Sequence, residues 1–86
     1  MERQEVIDGV VEVLKTVRMI DPERLVGVTE ETDFMKDLTV PSSELINIVA
    51  KVEQKFNIEF EDDDIDGLGS HVKDVVDLIL KAKARG

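Results

Sequence analysis

The segment Asp37-Leu-Thr-Val-Pro-Ser-Ser-Glu-Leu-Ile-Asn-Ile-Val49 decides the fold of this chain, because the sequence pattern changes within it. Apolar residues show no regular period before Pro41. After it they recur every three or four positions, as on one face of a helix. The stripe consists of Leu45, Val49, Val52 and Phe56, with Ile46 and Ile48 beside it. The pattern predicts a helix from about 42 to 55, and two serines, Ser42 and Ser43, stand where either can cap it.

Two similar stripes predict two more long helices. The first stripe contains Val6, Val10, Val13, Leu14, Val17 and Ile20, and the last contains Val72, Val75, Val76, Ile79 and Ala82. We therefore expect helices over about 3–19 and 71–84, with Ser70 as the cap of the second.

The segments between these helices lack a sustained period. Residues 27–41 are rich in turn formers, so we expect an ordered loop. Its apolar anchors are Leu25, Val28, Phe34 and Leu38. Farther on, Ile65 and Leu68 are spaced for one short helical turn that faces the core. Together the patterns predict an all-α fold, a four-helix bundle of three long helices and one short helix, in a single domain spanning residues 1–86.

The composition excludes several classes of function. The chain of 86 residues has a net charge of −9, no Trp or Tyr and no Cys. Such a surface repels nucleic acids and anionic lipids, and it attracts basic protein surfaces. Without Cys, disulfides, thiolate catalysis and zinc–thiolate sites are excluded. No apolar segment has the length of a membrane span, and the charged N-terminus leads into no long apolar run, so we expect no signal peptide and a cytoplasmic location. We also expect a monomer.

Ser42 is the first candidate for chemistry. Free backbone amides and the positive end of the helix dipole would favour a phosphate attached at this position. A serine hydrolase would need a nearby base, and His71 is the one histidine of the chain. No glycine-rich elbow accompanies the pair, so we disfavour that interpretation and expect His71 at a solvent-exposed helix start.

The acidic run at 61–66 is the second candidate. Asp62, Asp64, Asp66 and Gly67 match the opening of an EF-hand loop. The twelfth loop position, however, holds Lys73, where a bidentate Glu is required. We expect no dedicated metal site here, while weak divalent-cation binding or a simple solvated turn both stay open.

Six segments, in this order and spacing, resemble the acyl carrier protein family over nearly the whole chain. They are 28–34, Asp37-Leu38, Ser42, Ile46 to Val49, Phe56-Asn-Ile-Glu-Phe60 and Val72-Lys-Asp-Val-Val-Asp-Leu-Ile79. The family's Asp-Ser-Leu triplet aligns without gaps with Pro41-Ser42-Ser43, which selects Ser42 over Ser43 as the modified residue.

The resemblance implies a carrier that is not itself an enzyme. Ser42 would carry covalent 4′-phosphopantetheine, installed from coenzyme A by a phosphopantetheinyl transferase, and the arm would supply the thiol that the chain lacks. An acyl group would travel on it as a thioester between biosynthetic enzymes of fatty-acid, lipid or polyketide type, including ketosynthase-type enzymes with basic docking surfaces. Glu44, Ile46 and Glu53 would form the docking face. The acyl-chain cavity would consist of Val49, Val52, Phe60, Leu68 and Val75.

The sequence also departs from the family pattern. Pro41 replaces the Asp before the serine, Ser43 replaces the Leu after it, and Thr39 stands where Gly is usual. Lys51 and Lys55 interrupt the second helix, which is strongly acidic in the family. These departures favour a specialised carrier with dedicated partners. The alternative hypothesis is a helical interaction module of the same fold that has lost the prosthetic group.

Overall fold

A computed structural model describes residues 2–85 and shows an all-helical molecule. Four α-helices, α1 (Arg3–Leu14), α2 (Ser42–Phe56), α3 (Asp62–Asp66) and α4 (Val72–Arg85), are joined by loops, one of which contains a short 3₁₀ helix, Pro22–Leu25. The only β-type pairing among these residues is an isolated bridge between Asp33 and His71. The predicted bundle of three long helices and one short helix is confirmed. Between residues 2 and 85 no helix is long and apolar enough to span a membrane.

The first helix is shorter than its apolar stripe predicted. α1 ends at Leu14, and the chain continues in turns in which the amides of Thr16 and Val17 bond three residues back. The Thr16 hydroxyl also donates to the carbonyl of Val13 at 2.7 Å, so this carbonyl of the last turn accepts two hydrogen bonds from Thr16. Val17 and Ile20 are nevertheless buried. The predicted end at residue 19 is therefore wrong, because the same apolar spacing continues through turns.

The core is aliphatic and lies where α1 packs against both α2 and α4. Phe34 is fully buried and, with Leu38 and Leu25, holds the long loop against the helices. Val28 packs against this core while partly exposed. The predicted anchors of the loop are thus confirmed. α2 ends at Phe56, one residue later than predicted, and Asn57 after it adopts the left-handed conformation of a helix cap.

Asp33 ties the long loop to the beginning of α4. Its buried carboxylate accepts hydrogen bonds from the amides of Met35 (2.8 Å) and Lys36 (3.0 Å) and from the hydroxyl of Ser70 (3.1 Å). The Phe34 amide donates to the Ser70 carbonyl at 2.8 Å. These bonds lower the pKa of Asp33, the bond from Lys36 most. Ser70 is consequently not the predicted helix cap, because its hydroxyl is bonded to Asp33.

The acidic run starts a helix rather than a metal-binding loop. The Glu61 and Asp64 side chains form a reciprocal capping box at the start of α3. Asp64 also lies 3.1 Å from both Lys81 and Arg85 of α4, so the run joins two helices. The bond from the Glu61 amide, followed by those from the two cations, lowers the pKa of Asp64.

Candidate functional site

Ser42 is the first residue of α2 and is exposed to solvent. The residue before it, Pro41, occupies the cap position with extended backbone (φ −66°, ψ 153°), and no described side chain caps the helix. The interpretation of Ser42 or Ser43 as a cap is therefore wrong. The hydroxyl of Ser42 is left accessible at the N-terminus of α2.

The beginning of α2 offers backbone donors to an anion. The carbonyl of Pro41 accepts the first helical bonds, from the amides of Glu44 (3.0 Å) and Leu45 (3.1 Å). The amides of Ser42 and Ser43 precede these bonds and point out of the helix end, as the first amides of a helix do. Together with the helix dipole they favour a negative charge at this end. The site thus fits a phosphodiester on Ser42.

Buried residues hold the chain that leads to Ser42. Leu38 and Val40 are almost fully buried, and the Val40 amide donates to the carbonyl of Phe34 at 2.9 Å. Between them, Thr39 adopts a left-handed conformation with φ +55°. Leu38 and Val40 therefore point inward, and α2, which begins two residues later, places Ser42 on the surface.

The residues predicted for docking fall into two groups. Ile46 lies one helical turn after Ser42 and is 62% exposed, an unusual fraction for a large apolar side chain. Glu44, near the N-terminus of α2, accepts a 3.3 Å hydrogen bond from the side-chain amide of Asn47. Glu53 lies roughly 14 Å farther along the helix axis than Glu44. Its carboxylate accepts a 2.8 Å bond from the Phe60 amide, so it holds the loop after α2.

The residues predicted for the acyl-chain cavity lie together in the core. Val49, Val52, Phe60 and Val75 are buried, and Leu68 is partly buried against the same cluster. They come from α2, α4 and the two loops that flank α3. The structure therefore brings all five to one side-chain cluster, which is closely packed.

The other candidate sites have structural roles. The His71 ring lies between two carboxylates, 3.7 Å from Asp33 and 3.8 Å from Asp74, and Ser42 is not among its partners. Within residues 2–85, no group of three or more Asp, Glu or His side chains is arranged to hold a metal ion.

Comparison with known proteins agrees with this geometry. The family described as "Phosphopantetheine attachment site" matches residues 8–79. The acyl carrier protein of Coprothermobacter proteolyticus is 34% identical over 79 residues, covering 92% of each chain. The meromycolate extension acyl carrier protein of Mycolicibacterium aurum is 35% identical, covering 92% of this chain and 77% of its own. The acyl carrier protein of Rhodococcus erythropolis is 30% identical over 98% of this chain and 88% of its own. This chain therefore belongs to the acyl carrier protein family, whose members bear a covalent 4′-phosphopantetheine group.

Proposed function

We propose that residues 1–86 form one carrier domain that holds a fatty-acyl cargo of lipid synthesis on 4′-phosphopantetheine at Ser42. One observation carries the assignment: an exposed serine hydroxyl stands beside free amides at an uncapped helix end. The family and the names of the relatives support an acyl carrier of lipid metabolism. The absence of any Cys means that a thiol for thioester formation has to come from the attached group.

The residues around Ser42 have separate tasks in this proposal. On a phosphopantetheinyl transferase, Ser42 Oγ would attack the phosphorus of coenzyme A that bears the pantetheine. The pyrophosphate bond breaks, adenosine 3′,5′-bisphosphate leaves, and the hydroxyl proton passes to a base of the transferase or to water. The amides of Ser42 and Ser43 then stabilise the phosphodiester charge. When bound, the group supplies a thiol on a flexible arm. The chain itself acts as a carrier and not as a catalyst, in the cytoplasm and as a monomer.

The proposed docking face consists of Ile46 and Glu44, on the helix that begins with Ser42. An exposed apolar residue beside an acidic one is suited to a partner with a hydrophobic pocket and a neighbouring cation. Ketosynthase-type and other acyl-transferring enzymes with such surfaces are the proposed partners. Glu53, which the sequence placed in the same face, is bonded to Phe60 and is left out of this proposal.

An aliphatic interior supports the proposed cargo. Burying methylene groups of a fatty chain is favourable by about 0.8 kcal/mol for each one. Because Val49, Val52 and Val75 are tightly packed in the structure, an entering chain would have to displace side chains of this cluster. Leu68, which is only partly buried, lies at the edge where displacement costs least.

The attachment site is tested by intact-mass measurement of the apo protein after incubation with coenzyme A and a phosphopantetheinyl transferase. The wild type and Ser43→Ala should gain the mass of one arm, and Ser42→Ala should gain none. Addition that survives in Ser42→Ala would overturn the residue assignment. No addition to the wild type with several transferases would favour the interaction module, which the departures at Pro41 and Ser43 suggest.

A further inference from the structure

A cleft between the end of α1 and the middle of α2 carries charge of the opposite sign to the molecule. One part, of about 410 Å³, is lined by Thr16, Val17, Arg18, Met19, Glu44 and Lys51. A second part, of about 490 Å³, is lined by Glu12, Val13, Thr16, Lys51, Gln54 and Lys55. The two parts share Thr16 and Lys51, and we name them together the α1–α2 cleft.

The cations of this cleft differ in whether they are neutralised. Lys55 forms a 2.7 Å ion pair with Glu12. Arg18 and Lys51 form no ion pair with any residue from 2 to 85. Lys51 is held in the cleft by a long hydrogen bond of 3.4 Å to the Thr16 hydroxyl. The Arg18 end of the cleft therefore holds two cations and one carboxylate, that of Glu44, and so carries a net positive charge.

An exposed apolar side chain accompanies these cations. Met19 lines the same part of the cleft and is 54% exposed, while Val17 beneath it is buried. In a chain of net charge −9, these two cations beside an exposed methionine form a local surface that attracts acidic, partly apolar segments. A basic segment would meet repulsion here and attraction on most other faces.

We infer that the α1–α2 cleft receives an acidic segment of a partner enzyme, with a carboxylate against Arg18 and Lys51 and an apolar side chain against Met19. The inference rests on the carrier function proposed above and refines the identity of the partners. A partner of this carrier has a mixed docking surface, with a cation facing Glu44 and a carboxylate facing Arg18 and Lys51. Partners whose docking surface is uniformly basic are disfavoured by the same two cations.

The test is an NMR titration of the ¹⁵N-labelled Ser42→Ala protein at low salt with a capped Glu-Leu-Glu-Leu-Glu peptide. The inference predicts saturable shifts at the amides of 16–19 and Lys51, which weaken as salt rises. A capped Lys-Leu-Lys-Leu-Lys peptide should shift residues outside the cleft. Because this protein cannot be modified at Ser42, the result is independent of arm loading, and either proposal can fail alone.

Charge reversals locate the binding. Lys51→Glu and Arg18→Glu should each weaken peptide affinity about fivefold. Lys83→Glu is the matched control, because it changes the net charge by the same amount at an exposed position of α4 outside the cleft. It should leave the peptide affinity unchanged. The inference is overturned by an absence of saturable shifts, by equal losses in all three variants, or by sedimentation showing that the cleft binds a second copy of the chain.

Discussion

Gly9 of α1 faces the Cζ edge of the aromatic ring of Phe56 of α2. A Cβ atom at position 9 would stand 3.2 Å from both Cε1 and Cε2 of that ring and closer still to Cζ. Gly9 is buried, and Phe56 packs against the core while partly exposed. The glycine therefore weakens α1 as a helix and at the same time lets the end of α2 approach it.

Gly9→Ala should lower the free energy of unfolding by about 1 kcal/mol. The alanine gains about 1 kcal/mol of helix propensity, but overpacking against Phe56 costs roughly 1–3 kcal/mol. In a Phe56→Leu background the same change should be stabilising, because the ring is gone. Urea unfolding of the four proteins of this double-mutant cycle measures the coupling, and additive effects would show that the close approach has no energetic consequence.

Thr39→Gly should stabilise the fold by up to about 1 kcal/mol. Thr39 has φ +55°, a conformation that is strained for a β-branched residue and readily adopted by glycine. Its hydroxyl donates only to the adjacent carbonyl of Leu38. Thr39→Ala, which keeps a Cβ atom, is the matched control and should show no comparable gain in thermal unfolding. A loss of stability in Thr39→Gly would mean that the backbone strain is unimportant here.

Glu53→Ala should destabilise the protein by about 1–3 kcal/mol, because the amide of Phe60 loses a charged acceptor. Glu53→Gln retains an acceptor oxygen and should lose less. Glu59→Ala removes an exposed carboxylate in the same loop and serves as the control in chemical denaturation. If Glu53→Ala were as stable as the control and instead slowed binding to partner enzymes, the docking role predicted from the sequence would be restored.

Asp64 should make the free energy of unfolding depend on pH in the acidic range. Its pKa is lowered in the folded state, so its contribution is fully present above the unfolded value of about 3.9 and is lost as the pH falls through the folded value. The stability difference between the wild type and Asp64→Asn should accordingly be constant near pH 7 and shrink below about pH 4. Asp62→Asn, at an exposed neighbouring position, is the control. A difference that persists unchanged to pH 2 would contradict the ion-paired role.

Ile46→Ala should lower kcat/KM for transfer of an acyl group to a ketosynthase by about fivefold or more, with unfolding unchanged, because its side chain is exposed in the free carrier. Val26, exposed in the long loop, provides the control Val26→Ala. Glu44→Lys should slow association with a ketosynthase that presents a cation to Glu44, and more at low salt than at high salt. Equal effects of Ile46→Ala and Val26→Ala would exclude a specific docking contact.

The local pattern of the sequence predicted those features that local physics determines. The stripe ending at Phe56 predicted α2 to within a residue, and the turn formers around Phe34 predicted an ordered loop. Bonds between distant residues were not predictable in this way. Ser70 and Asp33 are 37 positions apart, and Asp33 became identifiable as a buried anchor only in the fold. The carboxylate of Glu53 likewise carries no sequence signal that separates an internal bond from a docking contact.

The tie between Asp33 and Ser70 has a consequence for engineering hybrid carriers. A graft of residues 33–46 into another carrier would transfer the modified serine and its flanks, but it would leave behind the hydroxyl and carbonyl of Ser70 that secure them. The smallest unit that can be transferred is therefore two separate stretches of chain. Residues 70–72 should be grafted into the recipient carrier together with the serine segment.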